Sequence, residues 1–188
     1  MDSVNNLIPN LESMVAGYGS YHHTTTNKII HIVLIPIILI TGCLLIKHGS
    51  IKYFGTDLSF WFLGALLLYY MAVDLPAGVI CALIYFPTYY YMSGVYNQTG
   101  LLKRGAFFNQ VAMVHVGCWA VQILSHMIFE KRAPAFLDNI LQIFVAPFFV
   151  VIEVMFHLGY RPNSAKRIKE RVESNVAEFV SKTKKAVQ

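Results

Sequence analysis

The 188-residue sequence predicts an all-α, polytopic membrane helical bundle of about four to five apolar helices, and three observations lead there. Hydrophobic residues make up 56 % of the chain and charged residues only 13 %, about half the charged share of a water-soluble domain, so much of the surface must face lipid. The apolar residues gather in runs near the length of about twenty that crosses a bilayer. The charges collect between and after those runs, with seven of the fifteen Lys and Arg following Arg161. A net charge of +5 distributed in this way fits membrane lipid with anionic head groups, not nucleic acid.

Taken in order, residues 1–20 carry an early acid and no basic-then-apolar pattern, which argues against a cleavable signal peptide. They predict a short helix lying on the membrane surface. The first long run, Ile29 to Ile46, is interrupted by His31 and Thr41, and Pro36 should kink it. The runs Leu58 to Val73 and Leu75 to Met92 are separated only by Asp74, with Pro76 just beyond. Each is short for a full crossing, which allows a re-entrant hairpin that enters and leaves on one side. Ser93 to Asn109, with Asn97, Gln98, Gly100, Lys103 and Arg104, reads as an exposed loop. Val111 to Phe129 forms the fourth run, closed by Glu130, Lys131, Arg132 and Pro134, and Ile140 to Leu158 forms the fifth. The expected organisation is a membrane-embedded domain over 1–162 and a basic amphipathic tail over 163–188. Cys43, Cys81 and Cys118 are odd in number, lie in apolar runs and have no CxxC spacing, so neither a disulfide framework nor a zinc knuckle is indicated.

Ionisable side chains inside apolar runs are the informative positions, because lipid penalises them. In YHHTTTNKIIH, His23, Asn27 and His31 recur every four residues and share one helix face, with His22 about 100° away. In the fourth run His115, Trp119, Gln122, His126 and Glu130 fall within a stripe of about 80°. Glu153 and His157 form a third pair, again four apart. Parity links the first two groups: the chain crosses, makes the hairpin and returns along the fourth run, so His126 and Glu130 arrive at the face that holds His22 and His23. Lys131 and Arg132 come with them, His115 is left far away, and a fifth crossing sends the tail to the opposite face. Any single intramembrane histidine is ordinarily a helix-to-helix hydrogen bond. Several imidazoles beside a carboxylate at one depth fit a borderline metal such as Fe(II), Zn(II) or Mn(II) instead. Lys131 and Arg132 are flanking charges by default and a clamp for a carboxylate head group in the functional reading.

The segments YHHTTTNKIIH, WAVQILSH, FEKRAPAFLDN, APFFVVIE and LGY, in this order and spacing over residues 18 to 162, resemble the fungal Mpo family. Its members are membrane-bound Fe(II)-dependent dioxygenases of phytosphingosine breakdown. The resemblance implies α-oxidation, in which a long-chain 2-hydroxy fatty acid reacts with dioxygen and is shortened by its carboxyl carbon, at the endoplasmic reticulum membrane. Carried over by position, the family's histidines fall on His22, His23, His31 and His126, which are then the expected iron ligands. Glu130, Asp138, Asn139 and Glu153 are further matching polar positions, and Glu130, Lys131 and Arg132 are the expected catalytic residues. His48, His115 and His157 match nothing in the motif. The competing classes are a non-catalytic scaffold or lipid-binding protein, whose histidines join helices, and a metal transporter, which needs polar groups at several depths.

Overall fold

The computed structural model describes residues 10–50 and 52–186. Eight α-helices follow one another: α1 (Leu11–Gly19), α2 (Thr25–Gly49), α3 (Leu58–Val73), α4 (Leu75–Gln98), α5 (Leu101–Ser125), α6 (Ala135–Asp138), α7 (Gln142–His157) and α8 (Pro162–Ala186). A π-helical turn, His126–Glu130, extends α5, and a two-stranded ribbon, β1 (Lys52–Tyr53) with β2 (Thr56–Asp57), joins α2 to α3. Among the described residues, three helices are long and apolar enough to cross a membrane: α2, α4, and α5 with its π-helical extension. The outward side chains agree, since Val33, Leu68, Leu83 and Val116 are all exposed, a pattern lipid tolerates and water does not.

The boundaries have local causes. Asp74 ends α3 and caps α4, its carboxylate accepting from the Ala77 amide at 3.0 Å, while Pro76 occupies the first turn of α4, where its missing N–H is no loss. Asp57 caps α3 and is bound by Lys47, Ser59 and Tyr89, which ties α2, α3 and α4 together at one end of the bundle. The tight turn between Leu58–Val73 and Leu75 onward is therefore present, but α4, at 24 residues, is long enough to cross, unlike the run to Met92 expected from sequence.

Three expectations change. Ser93 to Asn109 is not a loop: α4 runs to Gln98 and α5 begins at Leu101, with only Thr99 and Gly100 between them. The polar residues there mark two helix ends, where exposed side chains need no break in the backbone. The N-terminal helix is packed, burying Leu11, Met14, Val15, Ala16 and Tyr18 against α7 and α8; residues 1–9 lie outside the described residues.

The third change concerns the tail. After Glu130 the chain turns back along the bundle, and the Phe136 ring meets Trp119, two turns before His126 in α5, at 5.2 Å. Helix α7 then climbs back, buried on nearly every side, and Glu153 near its end binds Lys28 in the first turn of α2 at 2.5 Å. Gly159, at φ +89, makes a turn that disfavours a side chain, and α8 leaves α7 at a bend of 118°. So α8 lies at the histidine end rather than opposite it. There it packs on α1, with Arg167 on Glu12 at 2.5 Å and Asn175 on Ser20 at 2.9 Å.

Candidate metal centre

His22, in the short connection between α1 and α2, His31, in the second turn of α2, and His126, at the end of α5, meet in one buried group. Their ring centroids are 4.4, 4.6 and 4.9 Å apart. One nitrogen from each lies within 4.8 Å of the other two, close to the limit of about 4 Å that two metal–nitrogen bonds of about 2.1 Å impose. The rings are held from behind. His22 Nδ1 lies 2.8 Å from the Tyr18 carbonyl and its ring stacks on Tyr18 at 4.0 Å; His31 Nδ1 lies 2.9 Å from the Asn27 carbonyl. A proton on each Nδ1, donated to those carbonyls, leaves the Nε2 lone pair free, which is the arrangement metal-binding histidines use. Burial first, then the imidazoles of His31 and His126, hold His22 well below the ordinary imidazole range, so it is neutral.

Among the described residues, four buried side-chain atoms lack both a hydrogen-bond and an ion-pair partner: His22 Nε2, His126 Nδ1, Gln122 Nε2 and Gln142 Oε1. All four belong to the wall of a single cavity of about 200 Å³. Unpaired buried nitrogens are rare in proteins because each one costs free energy; two on converging imidazoles are what a bound ion would satisfy. The donor set fits a transition metal: three neutral imidazoles fill three positions and leave others open.

His126 opens the π-helical turn, an irregularity of the kind frequent at functional sites. Glu130, at the end of that turn, fastens α5 to the start of α2. Its Oε1 accepts from the Thr24 amide at 3.0 Å, the Thr24 hydroxyl at 2.8 Å and Asn27 Nδ2 at 3.0 Å. The Asn27 Oδ1 in turn accepts from Ser125 at 2.6 Å, and a helix N-terminus favours the carboxylate's charge. His23 stands outside the three-histidine group; its Nδ1 pairs with Glu130 Oε2 and its side chain is 39 % exposed. Lys131, in the left-handed backbone region at φ 50, is exposed. The Arg132 guanidinium lies 3.6 Å from the Tyr21 ring centroid, 4.1 Å from that of Phe179, and 3.8 Å from Asp138. Glu130, Lys131, Arg132 and His23 line a second cavity, about 340 Å³, roofed by α8.

The main cavity descends from the histidines between α2 and α5, past Ile35, Ile38 and Gln122 to Gly42, His115 and Ile46. From His31 to Ile46 is about 22 Å of helix, more than the roughly 15 Å depth of one leaflet of acyl chains. His115, distant from the metal group as parity implied, is part of this wall, bonded to Thr41 and Trp119. His48 packs on Phe108 and Tyr96, and His157 on its own helix. Thr24 and Tyr18 were not singled out from sequence. Thr24 had a signal, as a helix-capping residue beside the histidines, whereas nothing local marks Tyr18.

Residues 8–158 match the family model described as 2-hydroxy-palmitic acid dioxygenase Mpo1-like. The chain belongs to that family. This Mpo1-like chain is 29 % identical over 153 residues to the 2-hydroxy-palmitic acid dioxygenase MPO1 of Saccharomyces cerevisiae, covering 81 % of this chain and 83 % of the yeast protein. No solved structure matches it. The family match ends at the close of α7, so α8 is the part of this Mpo1-like protein that lies beyond it.

Proposed function

We propose that this chain is an Fe(II)-dependent dioxygenase of the endoplasmic reticulum membrane, a multi-pass protein that shortens long-chain 2-hydroxy fatty acids by one carbon in phytosphingosine degradation. The observation that carries the reading is the placement of three converging imidazoles, two of them with unpaired buried nitrogens, at one end of a long apolar cavity. Family membership and the yeast relative's name support the reaction and substrate class. The stoichiometry is self-contained: one 2-hydroxy acid and one dioxygen give the shortened acid, carbon dioxide and water. All four electrons taken up by dioxygen come from the substrate, and no separate reductant is required.

His22, His31 and His126 hold the iron, which supplies dioxygen binding and chelation of a 2-hydroxy carboxylate. The chain's own residues do the rest. Glu130 is a positioning residue, fixing α2 against the π-helical turn, so that His31 and His126 face each other. Lys131 and Arg132 serve at the second cavity, attracting an anionic head group without touching the metal. The apolar wall takes the acyl tail, each buried methylene contributing about 0.8 kcal/mol. Anaerobically purified protein should contain close to one iron per chain and should consume dioxygen on addition of 2-hydroxypalmitic acid. Protein that binds iron tightly, yet consumes no dioxygen with any 2-hydroxy acid, would sink the proposal.

The wall makes a prediction about chain length. A Cβ at Gly42 would lie 3.5 Å from His115 Cε1, so alanine is accommodated there, while a leucine must fill the cavity about 16 Å from His31. Gly42→Leu is expected to lower kcat/KM for 2-hydroxypalmitic acid by about ten-fold or more, the loss of a few buried methylenes, and to leave 2-hydroxydecanoic acid nearly unaffected. Equal losses on both acids would place the tail elsewhere.

A further inference from the structure

We propose that Gln122 recognises the substrate head group, its side-chain amide donating a hydrogen bond to the carboxylate of the 2-hydroxy acid. The inference rests on the functional reading above and adds to it a residue outside the histidine group.

Helix α5 is exposed along most of its length, and the residues it buries are Val111, Gln122 and Ser125. A lipid-facing helix that turns a glutamine inward and leaves Val116, Val121 and Leu124 outward is patterned for a polar requirement inside. Ser125 meets such a requirement by bonding Asn27. Gln122 has no such partner: it is only 6 % exposed, borders the main cavity, and its Nε2 makes no hydrogen bond. Its position four residues before His126 puts the two on one face, about 6 Å apart along the axis. Among the residues that line the cavity there is no Asp, Glu, Lys or Arg, so no fixed charge on its wall competes for the amide. A buried donor without an acceptor destabilises a fold, and the carboxylate of an acid chelated one turn away supplies the acceptor. A hydrogen bond to a charged group is the stronger kind, and a site built around one discriminates sharply against ligands that lack it.

Binding can be read without turnover, because Trp119 borders the cavity and replacing Trp61 by Phe leaves it as the chain's one tryptophan. In that background, iron-loaded protein kept anaerobic in nanodiscs is titrated with 2-hydroxypalmitic acid and, separately, with 1-hexadecanol, following Trp119 fluorescence. Gln122→Leu is expected to weaken binding of the acid by about ten-fold or more and to leave the alcohol within about two-fold. Gln122→Glu should weaken the acid further, through like charge, again sparing the alcohol. Both variants should retain the iron content of the parent. Equal weakening of acid and alcohol would assign Gln122 to packing, and unchanged acid binding in Gln122→Leu, or a parent that binds no acid, would overturn the proposal. A parent that binds the acid with this selectivity but consumes no dioxygen when loaded with iron would instead refute the dioxygenase reading and leave the head-group role standing.

Discussion

His31→Ala and His126→Ala are each expected to lose bound iron and to lower dioxygen uptake with 2-hydroxypalmitic acid by more than about 100-fold, since removing a group that only orients a metal ligand already costs about 10- to 100-fold. Both variants should still fold. His31 sits inside α2, where alanine is the better helix former, and the two rings contact each other and His22 through an otherwise unpartnered centre. His48→Ala is the control: that ring is spent on Phe108 and Tyr96 and does not border the main cavity. His23→Ala separates a three-histidine centre from a four-histidine one, because His23 lies against Glu130; it should keep its iron, while a fourth ligand would lose it. The readouts are metal analysis by mass spectrometry and oxygen-electrode rates, beside a melting temperature for each variant. If His31→Ala kept iron and activity, or if His48→Ala were the damaging change, the assignment of the centre would be wrong. A scaffold whose histidines only join helices predicts the reverse pattern, with stability lost and no iron in any variant.

The second large effect is on folding. A Cβ added at Gly78 of α4 would lie 2.4 Å from the Met71 amide nitrogen, 2.5 Å from Met71 Cα and 2.6 Å from the Tyr70 carbonyl carbon. These are backbone atoms of α3, and backbone cannot swing aside as a side-chain tip can. The two helices come this close because Asp74 alone separates them, and small residues are what permits such approach between membrane helices. Gly78→Ala should therefore destabilise by about 3 kcal/mol or more, at or above the upper end for overpacking. Gly64→Ala, on the adjoining helix and with nothing within 4 Å of its added methyl, should be neutral or slightly stabilising. Thermal unfolding in detergent compares the two directly, and similar melting temperatures would refute the close crossing of α3 and α4.

How far the sequence carried depended on how local each feature is. The bounds of α3 and the start of α4 were legible to the residue, because Asp74 and Pro76 act within a single turn of their own positions. The four-residue spacing of Asn27 and His31 was legible for the same reason, and so was the return of His126 to the level of His31, which follows from counting apolar runs. The loop expected from Ser93 to Asn109 failed because polarity reports exposure, and a helix end can be as exposed as a loop. Membership of the centre needed more than spacing. His22 and His23 are neighbours in the chain, yet one is buried with its ring on Tyr18 while the other turns toward Glu130.

By itself, then, the sequence determined that this chain is a helical bundle with apolar surfaces and that histidines from its first and fourth runs share one end. Apolar length and helical period are properties of a single segment, and lipid acts on each segment separately. Tertiary structure alone decided that α7 climbs back to the histidine end, that α8 docks on α1, that His126 meets His22 and His31, and that Gln122 faces an apolar cavity. Those outcomes depend on which surfaces are buried together. A run of apolar residues such as Gln142–His157 can meet lipid or other helices equally well, and only its partners, Tyr70, Tyr85 and Lys28 among them, settle where it goes.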